Sequence, residues 1–134
     1  MSIDSEILNH FNSNWDQSPT IIWTSQNVSA NIDADTEYVV PRVIRAFSAV
    51  QEVPYEEGVV RYDYQFYMNL LLKENSGVAK MYACETALRS IYHKKTVTTS
   101  NYSYSFDTLE VLAGYMTGAH FEVPIYVTFY TFTN

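Results

Sequence analysis

Charge is scarce in this chain: only 17% of its 134 residues are Asp, Glu, Lys or Arg. The shortage is also one-sided, with eight basic against fifteen acidic residues and a formal net charge of −7. That balance argues against a broad cationic face of the kind that grips nucleic-acid phosphates. With one cysteine, Cys84, no intrachain disulfide can form, and a reducing compartment or a virion is a natural setting. Set among helix-spaced residues, Cys84 reads as a small buried hydrophobe. Four glycines leave no glycine-rich phosphate loop, no Gly-x-Ser-x-Gly elbow and no dinucleotide fingerprint. No window approaches the roughly twenty apolar residues of a membrane-spanning helix. The opening Met1-Ser2-Ile3-Asp4-Ser5-Glu6 lacks the basic start and apolar run of a signal peptide. A soluble protein without a membrane partner is the expectation.

What the chain has in quantity is apolar and aromatic surface. Hydrophobic residues make up 47% and aromatics 16%, among them twelve tyrosines and seven phenylalanines. Such side chains suit strands and buried interfaces, and their excess over charge points to self-association. The length fits one domain, residues 1–134, able to bury roughly two-thirds of its unfolded surface.

Periodicity divides the chain. Ile3, Ile7, Leu8, Phe11 and Trp15 recur at helical spacing, and the spacing predicts a short helix ended by Asp16-Gln17-Ser18-Pro19. Thr20-Ile21-Ile22-Trp23 reads as a brief strand, and Ser25–Asp35 as a polar loop. Glu37–Val53 alternates, with Tyr38, Val40, Ile44 and Ala46 on one side and Val39, Val43 and Phe47 on the other; Pro41 marks an edge strand or a bulge. A turn over Val53–Gly58 leads into a long strand in which Val60, Tyr62, Tyr64, Phe66, Met68, Leu70 and Leu72 alternate with polar residues, so the two strands form a long hairpin. After Glu74-Asn75-Ser76-Gly77 the period changes to helical, with Ser76 as the N-cap and Val78, Met81, Tyr82, Leu88, Ile91 and Tyr92 as the apolar stripe, ending near Lys95. Thr96–Tyr104 fits either a weak strand or an extended loop. Phe106–Met116 is strand-rich, Thr117-Gly118 signals a turn, and Phe121–Phe132 alternates as a final strand with aromatics on both faces. The order, with no βαβ rhythm, predicts an α+β fold: an antiparallel or mixed sheet with a long β-hairpin, packed on one face by two α-helices.

Residues suited to catalysis are few and scattered. His10, His93 and His120 show no metal-ligand spacing, and His93 beside Lys94 and Lys95 suits the C-terminal end of a helix. Asp33, Asp35 and Glu37 place carboxylates at alternate positions, as calcium ligands can be, but no following glycine and distal glutamate complete a loop, so a solvated acidic loop is the expected reading. No catalytic residue, metal site or cofactor is expected. Arg42 and Arg45 fall on opposite faces of one strand, with Arg61 across the hairpin. They read either as cross-strand partners of glutamate or as contacts between subunits, since interfaces favour arginine beside aromatics. Asp33, Asp35, Arg42 and Arg45 are therefore the candidate interface residues.

The layout resembles that of the tail terminator and tail completion proteins of long-tailed bacteriophages across nearly the whole chain. The likeness is carried by the Trp23 strand, by Gly58-Val59-Val60-Arg61-Tyr62 at the start of the long strand, by the helix opening at Ser76-Gly77 and by its Ala79, Ala83, Ala87, Leu88 and Ile91. The resemblance implies a structural virion protein rather than an enzyme, assembled in the host cytoplasm. It implies a homo-oligomeric ring, usually a hexamer, that caps the tail tube protein, stops elongation and meets the head connector or stopper, with genomic DNA passing through the lumen unbound. An acidic chain suits such a lumen. Other expectations from the same residues are a different neck or head–tail connector protein, or a small ligand-binding protein or enzyme whose pocket is lined by Tyr62, Tyr64, Tyr82 and Tyr92.

Overall fold

A computed structural model of the protein describes residues 2–23, 32–45, 51–52, 60–74 and 77–133. In chain order these form α1 (Ile3–Asn14), β1 (Thr20–Ile21), β2 (Tyr38–Arg45), β3 (Gln51–Glu52), β4 (Val60–Lys73), α2 (Val78–Tyr92), β5 (Thr96–Thr98), β6 (Ser103–Val111), β7 (Tyr115–Thr117), β8 (His120–Val123) and β9 (Ile125–Thr133). The fold is α+β, and its strands join one mixed sheet in the order β1-β2-β4-β9-β6-β5. Every pairing is antiparallel except that of β1 with β2. β3 adds to the start of β4, β8 to its end, and β7 to β8.

The alternation that begins at Val60 becomes the central strand. Tyr64, Phe66, Met68, Leu70 and Leu72 of β4 are buried on the inner face, while Arg61, Asp63, Gln65, Tyr67 and Asn69 on the other are partly exposed. β2 pairs with β4 as the expected hairpin, Val43 opposite Phe66 and Tyr38 opposite Leu71. Pro41 sits in β2, whose outer side is paired among the described residues only at its start, by β1 and the Ile22 N–H, so the proline lies on an edge strand. Ala46, Phe47, the Val53–Gly58 turn and most of the Ser25–Asp35 loop lie outside the described residues.

Phe121–Phe132, expected as one strand, is two, divided at Pro124. The register nevertheless runs on unbroken against β4, with Leu70 opposite Val123 and Tyr67 opposite Tyr126. Pro124 has no N–H to donate. Asn69 lies opposite the break: its Oδ1 accepts the Ile125 N–H at 3.3 Å and its Nδ2 donates to Glu122 at 3.1 Å. The hairpin from β7 to β8 turns at Gly118, whose φ of 58° is the positive value that tight hairpin turns require. Gly114 has a different reason to be glycine, since a Cβ there would lie 2.3 Å from the Phe121 ring.

Both helices cover the inner face. Ile7 and Phe11 of α1, and Cys84, Leu88 and Tyr92 of α2, join Phe66, Met68, Phe106, Val127 and Phe129 in one core. Phe66 is fully buried between the edges of Phe11 and Tyr92, with ring centroids 5.8 and 5.3 Å away. The apolar stripe expected of α2 is partly displaced: Val78 and Tyr82 are 59% and 57% exposed, and Cys84 takes an inward place. The expected cap, Ser76, lies outside the described residues, and the capping position falls on Gly77, where no side chain bonds the helix start. α2 ends at Tyr92 rather than near Lys95, because Lys94 turns with φ 51° and gives its N–H to Asp107. Asp107 and Thr108 form a bulge in β6, between Phe106 opposite Phe129 and Leu109 opposite Val127. Thr96–Tyr104, open between strand and loop in the sequence, contains β5 and the start of β6.

Two buried carboxylates tie the layers together. Glu6 of α1 accepts hydrogen bonds from Thr99, Asn101 and Tyr104, which fastens the helix to the β5–β6 connection. Glu37, just before β2, accepts the Lys73 N–H at 3.0 Å and pairs with Lys80 of α2.

Candidate functional site

The helices occupy one face of the sheet, and among the described residues no helix covers the other. There Ile22, Tyr38 and Leu71 form a small second cluster with Val40 packed against it. Beside that cluster is an open groove of about 990 Å³, with Ile32 and Ala34 on one wall and Tyr115, Gly118 and Ala119 on another. Arg42, Tyr67, Asn69 and Glu122 supply its polar groups. Glu122 accepts from Asn69 and, at 2.9 Å, from the Tyr115 hydroxyl. The bond to this carboxylate holds the Tyr115 phenol above its ordinary pKa. These groups can hold a small polar molecule or a side chain of a partner.

β2 carries two of the four candidate residues at its C-terminal end. Arg42 points to the groove face and lies over the Tyr67 ring at 5.3 Å; Arg45 points to the helix face and lies over Tyr62 at 4.8 Å. Both are exposed, and among the described residues neither has a carboxylate partner. Arg61 differs: it stacks on Tyr130 at 4.1 Å and pairs with Asp63 at 2.9 Å, on its own strand rather than with a glutamate across the hairpin. Asp33 and Asp35 lie at the other end of β2 in an exposed turn, where Asp33 Oδ1 accepts the Asp35 N–H at 2.9 Å and Asp33 O accepts the Thr36 N–H at 3.1 Å. The four candidates are thus an acidic pair before β2 and a basic pair in its second half, with Arg42 sharing the groove with Ile32 and Ala34 of the acidic turn.

Glu37 is turned inward onto Lys80, so the alternate carboxylates Asp33, Asp35 and Glu37 do not converge. Among the described residues no group of three metal-ligating side chains gathers. Each histidine has a hydrogen-bond contact within the fold. His93 Nδ1 accepts the Leu109 N–H at 3.1 Å beside the β6 bulge. His120 is buried, with Nε2 2.8 Å from Thr36 O. His10 Nδ1 lies 3.0 Å from the Tyr92 hydroxyl, and burial lowers the pKa of its ring. Burial likewise raises the Cys84 thiol and the Tyr92 phenol.

The tyrosines expected around a pocket are dispersed. Tyr64 and Tyr92 are core residues, Tyr82 is on the outer side of α2, and Tyr62 lies under Arg45. The groove uses Tyr67 and Tyr115 instead. Its signal in the sequence is the polar row of β4, Tyr67 and Asn69, which falls between the buried positions. Glu6 and Glu37 carry no such signal, since a carboxylate in a helical first turn or a loop reads as solvated surface.

No protein-family profile and no curated protein sequence matches the chain. A solved structure that carries no functional name is similar over 99% of this chain and 98% of its own, with a TM-score of 0.61 at 12% sequence identity. Likeness at that identity speaks for the fold alone.

Proposed function

We propose that the protein is a structural virion component, a tail terminator that forms a ring of six copies, caps the tail tube, stops its elongation and joins it to the head connector. The observation that carries this reading is the open edge of β2. Among the described residues, from Pro41 to Arg45 no strand lies on its outer side and the two arginines that flank the exposed Ile44 have no carboxylate partner. Unpaired edge groups beside uncompensated charge suit contact with another chain. The net charge of −7 suits a lumen that lets DNA pass. The ring assembles in the host cytoplasm and ends in the virion, and its role requires no catalytic group.

The test is capping of growing tail tubes. Purified tubes mixed with the protein are expected to recruit it to one end and to stop lengthening, and light scattering of the released cap gives its mass. Tubes that neither bind the protein nor stop growing would remove the terminator reading. A second reading, a ligand-binding protein, is favoured by the groove of about 990 Å³. It requires a monomer that takes up a small polar molecule beside Glu122 and Tyr67.

A further inference from the structure

β2 has opposite charges at its two ends, and these specify a contact that rests on the ring reading. The acidic turn holds Asp33 and Asp35 beside Ile32, a residue 37% exposed. The far end holds Arg42 and Arg45 with Ile44, 36% exposed, between them. Each patch is therefore an exposed isoleucine flanked by charge of one sign. Counted from Tyr38, four strand steps to Arg42 span roughly 13 Å and seven to Arg45 roughly 23 Å. Both exceed the screening length of about 8 Å at physiological ionic strength, and no carboxylate of the turn pairs with either arginine within one copy.

We infer that neighbouring copies meet head to tail along β2, with the Ile32–Asp35 turn of one copy seated between Arg42 and Arg45 of the next. The arginines straddle the edge of the sheet, one on each face, which makes a fork suited to a compact turn rather than to a flat strand. Each guanidinium rests over a tyrosine ring, Tyr67 or Tyr62, and the hydrogen bonds at Asp33 shape the turn, which lowers the side-chain freedom lost on contact. Ile32 and Ile44 supply the apolar part, while the charges set register and orientation. A contact between two different patches on each subunit is heterologous, the kind that makes a ring when the rotation from copy to copy closes.

The experiment uses two charge-reversed proteins: Asp33→Lys with Asp35→Lys, and Arg42→Glu with Arg45→Glu. Circular dichroism first checks the fold, and light scattering then measures assembly on tube ends and in concentrated solution. Each variant alone presents like charges at both ends of β2 and is expected not to assemble, whereas an equimolar mixture pairs opposite charges at every contact and is expected to recover rings of alternating subunits. Should a reversed protein fail to fold, the neutral pairs Asp33→Asn with Asp35→Asn and Arg42→Gln with Arg45→Gln are expected to weaken assembly about tenfold. Assembly of either reversed variant alone at the parent's level would overturn the contact, as would a folded mixture that stays monomeric. If the parent caps tubes and the variants do so equally well, the contact is wrong and the terminator reading stands. If the parent self-associates through these charges without capping tubes, the contact stands and the terminator reading falls.

Discussion

Replacing Glu6 by Gln is the sharpest perturbation of the fold, because it keeps the shape of a buried side chain and removes its charge. Glu6 is 5% exposed and accepts from Thr99, Asn101 at 3.0 Å and Tyr104 at 3.1 Å. Burial by itself raises the carboxyl pKa; the three bonds together outweigh it, and the net shift is downward. A depressed folded-state pKa means that the stabilisation is fully present at neutral pH, above the unfolded value of about 4.3, and is lost as pH falls through the lower folded value. Hydrogen bonds to a charged acceptor contribute about 1.5–3 kcal/mol each and are roughly twice as strong as neutral ones. An amide offers one acceptor oxygen and turns an N–H toward a donor, so the expected loss at pH 7 is about 2–3 kcal/mol. At about 3–4 °C per kcal/mol for a domain of this size, Tm should drop by about 8 °C. Thermal melts of parent and variant, followed by circular dichroism at pH 7 and again below pH 4, measure this. The gap should narrow as pH falls through the lowered folded-state pKa of Glu6, where the parent carboxyl becomes neutral. A gap that stays constant, or a variant as stable as the parent at pH 7, would refute the account of Glu6 as an ionised clamp.

Phe66→Ala removes a fully buried ring and its two edge contacts, and chemical denaturation is expected to show a loss of about 3–5 kcal/mol. Leu88→Ala, at 0% exposure in α2, should lose about 2–5 kcal/mol by the same measurement. Gly114→Ala places a methyl group against the Phe121 ring and should lower Tm, whereas the double variant Gly114→Ala with Phe121→Ala should lose less than the two single losses together, since the clash is gone.

Much of the architecture was legible because it rests on alternation. β4 shows seven apolar residues at every second position, and a one-residue slip would turn all of them to solvent. α1 was clear for the same reason at helical spacing, although Glu6, which looks like an ordinary first-turn acid, turned out to be buried. Periodicity reports which residues share a face and not how wide the covered part of that face is. Val78 and Tyr82 lie beside the buried stripe of α2 by spacing, yet the sheet beneath them leaves both exposed. The parallel pairing of β1, the bulge at Asp107–Thr108 and the break at Pro124 depend on partners distant in sequence. The candidate site was half legible: residue types and opposite faces located Arg42 and Arg45, but the groove assembles from β2, β4, β7, β8 and the acidic turn, and no local pattern marks it.

The place of β9 in the sheet has a kinetic consequence. It lies between β4 and β6, so the two halves of the sheet share no ladder until residues 125–133 are present. During synthesis the β2–β4 hairpin and α2 emerge first, with the inner face of β4 still without its second neighbour. Pairing strands so far apart in the chain is slow compared with closing a hairpin. For that interval Phe66 and Met68 lack the cover that Val127 and Ile125 later provide, and a nascent chain stalled before Ile125 exposes an apolar strand edge to chaperones or to other nascent chains.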